Sequence, residues 1–445
     1  MIFKTDYKLE SFILETKWES LPLDVQTRMR GCLIDLLGAL ISGSRSAQFD
    51  AGVALAEKIF PCGEIPVIGS DKTFGFMGAS TAMGHASNAY DIDDGHNIIR
   101  AHPGTSFIGA ILAAAYDKNV SLSEFLTALL VAYETTIRSG AAIMDYYKYA
   151  HSSGTFGAVG VAAGVGRLYN FTKEELNNTL SVAEFNAPLV PGIRSVEYPS
   201  MNKDGVPFGV MIGCLAIMET LSGFTGNKNL LEADEYCHYL DDLGKKYEVM
   251  DLYFKPYPCC RWAHPAIEAC VETMKKNLLT SEKVEKVVIK TFYRATLLSK
   301  IEPQSADEAQ YNIAYPVATS VVYGDFGINH VSADSLKDKK ILDMMKKLSF
   351  EVDEELDKQF PQKRICRAEI YTTDGKVYIS DNFEPKGEAN ENIGFDWLTK
   401  KFRKITSPFI SPEGQEKIIS LVKDSTDVSV RTLVQTVNNK DYWIG

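Results

Sequence analysis

The segment GHASNAYDIDDGHNIIRAHPGTS, Gly84 to Ser106, gathers Asp91, Asp93, Asp94, His85, His96, His102 and Arg100 between two apolar runs. A solvated helix face would carry Lys and Glu at helical spacing and few histidines. Imidazole beside carboxylate is instead suited to proton transfer near neutral pH. The competing chemistry is a metal site, because Asp91, Asp93, Asp94, His96 and His102 offer oxygen and nitrogen ligands for Mg²⁺, Mn²⁺ or Fe²⁺. The plainer reading is a polar loop whose aspartates cap the next helix. Helical period is lost after Asp94, and Pro103 disfavours the αR conformation at His102. The segment therefore reads as a helix end opening into a loop, with acid–base groups aimed into a cavity.

Four other clusters carry polar chemistry. His151 opens HSSGTFGAV at a helix start, where free N–H groups favour anions. Arg194, Asn202 and Lys203 lie in an irregular stretch, VPGIRSVEYPSMNKDGVPFG, that interrupts an apolar region. Lys255, Tyr257, Cys259, Cys260, Arg261 and His264 lie in FKPYPCCRWAHPAIEA, where prolines stiffen the backbone before a helix. There, Arg could grip a carboxylate through two parallel hydrogen bonds. Tyr311 and Tyr315, in QYNIAYPVA, could close over a ligand or pack in a core. Each cluster taken alone has a structural explanation: cap, solvated loop, rigid connector or packed aromatic.

The elements that position these groups follow from periodicity. Val25, Met29, Cys32, Leu33, Leu36, Leu37 and Leu40 form one helical stripe, with Pro22 at its start. Ser42-Gly43-Ser44 predicts its end, with the glycine in the left-handed conformation. Ser121-x-x-Glu124 and Thr172-x-x-Glu175 predict capping boxes. Gly- and Ala-rich stretches predict closely packed central helices. Gly164-Val165-Gly166 lacks a preceding strand and a third glycine, so it is not a dinucleotide fingerprint.

After about residue 280 the pattern changes. VEKVVIKTFYRATL (284–297) is strand-like, and RICRAEIYTTDGKVYIS (364–380) reads as a hairpin around Asp374-Gly375. Helices are predicted over Ala306–Val322 and Asp338–Leu348, and again from Phe395, with Ser411-Pro412-Glu413 as a helix start. The expected architecture is mostly α. It has a large all-helical domain (1–266 and 394–445) with an inserted smaller α+β lid domain (267–393).

A net charge of −11 provides no basic field for nucleic acid. No apolar run is long enough for a membrane span. Eight cysteines without a C-x-x-C pair, and no basic-then-apolar leader, predict a cytoplasmic protein without disulfides or zinc.

Five stretches in order, GHASNAYDIDDGH…AHPGTS, HSSGTFGAVGVAAG, NKDGVPFG, FKPYPCCRWAHPAIEA and YNIAYPVA, make the chain resemble the MmgE/PrpD family. Members of that family include 2-methylcitrate dehydratase, cis-aconitate decarboxylase and an iminodisuccinate epimerase. The resemblance implies a homodimer, a cleft between the domains, and proton transfer beside the carboxylate of a small anionic substrate, with no cofactor or metal. It matches Asp91 and His102 to the acid–base loop, His151 to the histidine opening the central helix, Lys203 and Lys255 to the family's lysines, and Tyr315 to a lid tyrosine. Cys260, followed by Arg261, stands where the decarboxylase has another cleft histidine.

On this reading Lys203, Lys255 and Arg261 stabilise charge building on the substrate carboxylate. Tyr257 belongs to the same binding wall. His102 is the base, Asp91 holds its tautomer and stabilises the imidazolium, and His151 is the acid. The expected reaction is dehydration of a di- or tricarboxylate. The alternatives are epimerisation of an amino- or imino-dicarboxylate, with Cys260 or Lys203 as second base, and decarboxylation.

Overall fold

The apolar stripe beginning at Val25 forms helix α1, Leu23–Gly43, in a computed structural model that describes residues 1–60, 62–391 and 393–444. Gly43 does not take the left-handed conformation expected of it; it remains within the helix. A Cβ at Gly43 would lie 1.9 Å from the Ala86 carbonyl oxygen, so the glycine serves close approach to α2, Phe76–Ser87.

Then come α3 (Ile108–Lys118), α4 (Leu122–Tyr147), α5 (Ser153–Leu168), α6 (Lys173–Asn186) and α7 (Val206–Leu221). Every residue of α5 is buried, and α4, α6 and α7 pack around it. Small residues permit this: a Cβ on Gly209 of α7 would fall 2.4 Å from the Gly154 oxygen of α5. Thr172 and Glu175 complete a capping box at α6. Ser121 accepts from the Glu124 N–H, but the Glu124 carboxylate turns to Arg167, so only half of that box forms.

Of the short strands in the helical region, two meet beside the site. β1 (Asp94–His96) pairs antiparallel with β2 (Leu252–Phe254), with Asp94 opposite Phe254. This pairing brings the loop around Asp91 beside Lys255.

Helix α8 (His264–Lys276) leads into β3 (Val284–Thr291). The expected helix over 306–322 is split into α9 (Ala306–Gln310) and α10 (Ala314–Tyr323). Asn312 causes the break, because its side chain accepts from the Tyr315 N–H and donates to the Ile301 oxygen. α11 (Lys339–Met345) ends before Leu348, which starts β4 (Leu348–Val352). β5 (Cys366–Thr372) and β6 (Val377–Ile379) form the hairpin, with Gly375 at φ 81°. The sheet order is β4-β3-β5-β6, parallel between β3 and β4 and antiparallel elsewhere.

The apolar side chains form two main cores. One runs from Leu9 to Phe254 and resumes at Ile393, with Leu398 and Phe402 of α12 (Phe395–Thr406) against α1. The other takes Tyr257 through Ile370 and the sheet. The fold is thus mostly α with a smaller α+β region. The returning chain also braces the aspartate loop: Lys401 Nζ donates to the Ile92 oxygen and pairs with Asp35, each at 2.5 Å. Among the described residues, no helix is long and apolar enough to cross a membrane.

Candidate active site

His102 stands at the floor of a cavity of about 300 Å³ lined by residues of both regions. Its backbone N–H donates to Ser153 Oγ at 2.9 Å, tying it to the start of α5. Ring Nδ1 lies 2.9 Å from the Asp94 oxygen and 3.2 Å from Asp93 Oδ2. Nε2 lies 3.3 Å from Asp204 Oδ2 and 3.6 Å from Asp91 Oδ1. Burial and the Lys255 ammonium oppose protonation of this ring, yet Asp93 and Asp91 outweigh them and push its pKa up to about 10. These surroundings favour the protonated ring, where the sequence reading has a base with a pKa near neutrality.

Asp93 and the Asp94 carbonyl meet ring Nδ1 and orient it, while the Asp91 carboxylate near Nε2 favours the protonated ring. Asp91 also takes the Lys255 ammonium at 2.5 Å, with both side chains buried. Asp93 accepts from Asn88 Nδ2 and Thr105 Oγ1. Burial works against its charge, but His102 and Lys255 hold it well below the usual carboxylate range. The Asp94 side chain is structural: its oxygens accept from the Gly104 N–H and the Tyr133 O–H. Three backbones near this site, at Asp91 (φ 48°), Arg100 (φ 51°) and Lys203 (φ 43°), are left-handed. Such conformations persist where surrounding contacts determine them.

The expected cations are redistributed. Lys203 is buried against Gln310 Oε1 at 2.6 Å and Asp307 at 3.0 Å, and it does not line the cavity. Lys255 is likewise consumed by aspartate. Arg100, Arg261, Arg294 and Arg364 line the cavity instead. Arg261 lies 3.8 Å over the Tyr253 ring and pairs with Glu388 at 2.7 Å. Arg364 donates to Asn97 Oδ1 at 3.0 Å. Guanidinium forks suit carboxylates better than a buried ammonium does.

His151 lines the same cavity, and neither ring nitrogen has a hydrogen-bond partner among the described residues. The Tyr149 ring lies 4.0 Å away, and burial lowers the His151 pKa, which favours the uncharged ring. Cys260 also lines the cavity, but burial pushes its thiol up to about 12. A thiol in that state is a poor nucleophile and base.

Two tyrosines leave the expected site. Tyr257 donates to Glu268, and Tyr315 donates to the His330 and Ser335 oxygens. Neither lines the cavity, whereas Tyr311 does, with its hydroxyl unpartnered among the described residues. Asp204, Arg294 and Arg364 were not singled out from sequence. Asp204 follows Lys203 directly, and an adjacent charged pair at a Gly-containing turn was the available signal.

The competing metal reading loses most of its ligands. Asp93 and Asp94 are committed to internal hydrogen bonds, and His96 lies outside the cavity lining. Asp91, His102 and Asp204 do offer ligand atoms within 4.8 Å of one another. Asp91 Oδ1 is already taken at 2.5 Å by the Lys255 ammonium, which is fully buried and has no solvent to withdraw into, so the donor set does not fit a resident metal.

The MmgE/PrpD N-terminal domain matches residues 7–241, and the MmgE/PrpD C-terminal domain matches 257–427. The chain is 24% identical over 467 residues to the cis-aconitate decarboxylase-like protein oryM of Aspergillus oryzae, covering 95% of each. It is 20% identical over 393 residues to the cis-aconitate decarboxylase of Homo sapiens, covering 81% of this chain and 78% of that protein.

Proposed function

The chain belongs to the MmgE/PrpD family, and from that premise we propose that it is a cofactor-free lyase that removes water from a small di- or tricarboxylate. The observation that carries the reading is a pair of imidazoles lining one cavity with four arginines, His102 ringed by the carboxylates of Asp91, Asp93 and Asp204, and His151 with no hydrogen-bond partner among the described residues. Elimination of water needs one group that takes a proton and one that gives a proton.

Arg261 and Arg364 hold the substrate carboxylate and stabilise the negative charge that builds as the neighbouring C–H proton leaves. His151 takes that proton. His102 gives its Nε2 proton to the departing hydroxyl, which leaves as water as the carbon–carbon double bond forms. Asp93 and Asp94 keep the ring oriented through Nδ1. These roles reverse those expected from sequence, because the carboxylates around His102 favour its protonated form.

Decarboxylation is the second reading, supported by the names of both relatives. It needs a proton donor for the carbanion left by CO₂, which His102 supplies, and it leaves His151 without an essential role. Epimerisation through Cys260 is weakened by the thiol's raised pKa. Incubation with 2-hydroxy di- and tricarboxylates, and with their unsaturated products, in deuterated water separates the three. Loss of water supports the proposal. Loss of CO₂, or deuterium at a stereocentre without other change, overturns it.

A homodimer is the proposed assembly. The exposed Phe208, Leu215, Met218 and Leu221 of α7 support it, and size-exclusion chromatography with light scattering tests it. Eight free cysteines support a cytoplasmic location.

A further inference from the structure

His96 is buried to 1% exposure on β1, and neither of its ring nitrogens finds a hydrogen-bond partner among the described residues. A buried polar group left in that state is costly unless something else satisfies it. Its Nε2 points toward Glu248 Oε2 at 3.7 Å, too far for a hydrogen bond, and Glu248 Oε2 is itself buried without a partner. Asp251 supplies a third oxygen, and all three donor atoms lie within 4.8 Å of one another. The β1–β2 pairing creates this cluster by placing His96 opposite Leu252, one residue after Asp251.

We propose that His96, Glu248 and Asp251 form a structural site for a divalent transition-metal cation. One imidazole nitrogen and two carboxylates suit Mn²⁺ or Zn²⁺, with water completing the shell. None of the three lines the catalytic cavity, so the site is independent of the proposed reaction. Lys246 already contacts Glu248 Oε1 at 3.1 Å and Asp251 Oδ2 at 3.2 Å. Arg138 Nη2 lies 3.9 Å from Glu248 Oε1. Lys246 thus faces both carboxylates and Arg138 faces Glu248. Lys246 is half exposed and competes with the metal for them. A bound ion would fasten β1 to β2, and β1 leads into the loop that carries Arg100 and His102.

The test is calorimetric titration of the chelator-treated full chain with MnCl₂, which avoids the thiol affinity of zinc. The expected result is one Mn²⁺ per chain. Asp251→Asn, at a half-exposed position that leaves the fold intact, weakens binding at least tenfold. Lys246→Met tightens it, and Asp204→Asn leaves the stoichiometry unchanged. The proposal is overturned if the wild-type chain takes up no Mn²⁺ below millimolar concentration. It is equally overturned if Asp251→Asn binds as well as wild type, or if Asp204→Asn abolishes uptake.

Discussion

The Lys255 ammonium lies 2.5 Å from Asp91 Oδ1, with both side chains buried. That contact assigns Lys255 to holding the acid–base loop instead of gripping substrate. Removing one partner of a buried pair leaves an uncompensated charge. Lys255→Met is expected to cost about 3–5 kcal/mol in denaturant unfolding. Adding Asp91→Asn should recover part of that loss. Full stability in the single variant would contradict the pairing.

The arginines carry the opposite expectation. Arg261→Lys and Arg364→Lys should raise KM for the carboxylate substrate, with kcat/KM falling roughly 10- to 100-fold, as loss of one charge-assisted hydrogen bond predicts. Lys203→Met should lower the melting temperature and leave KM unchanged in the folded fraction. Steady-state kinetics beside thermal melts distinguish the two groups, and a KM effect confined to Lys203 would reverse the assignment.

Much of this arrangement was legible in the sequence. The Asp91–His102 loop, His151 and the Cys260-Arg261 pair all reach one cavity, and the helical stripe from Val25 and the 374–375 hairpin form where the pattern puts them. Periodicity reports which face of an element is buried, so those elements could be read. It does not report which charge faces which. Lys203 and Arg364 look alike in sequence as cations near chain irregularities. Only the fold shows that Asp307 neutralises the first while the second reaches the cavity. The protonation state of His102 was hidden for the same reason, because it depends on Asp93 and on a lysine far away in the chain.

Tyr257 and Tyr315 donate to internal acceptors. Tyr257→Phe and Tyr315→Phe should each lower stability by about 1 kcal/mol and leave kcat/KM unaltered. Tyr311→Phe removes a hydroxyl that lines the cavity and should change KM instead. Parallel denaturation and kinetics check both outcomes.

His102 also links stability to pH. Its pKa rises from 6.5 to about 10 on folding, so its stabilising contribution is complete below about pH 6.5 and vanishes as pH rises through about 10. Denaturant midpoints measured across that window should fall with rising pH in the wild-type chain. They should fall less in His102→Gln. Identical slopes in the two proteins would show that His102 does not carry the linkage.

The charge on His102 is the centre of the account, and nitrogen NMR of the histidine-labelled protein, assigned with His102→Gln, measures it directly. The predicted spectrum shows an imidazolium at pH 7 that titrates only near pH 10. A neutral His102 ring at pH 7 would contradict its role as the proton donor.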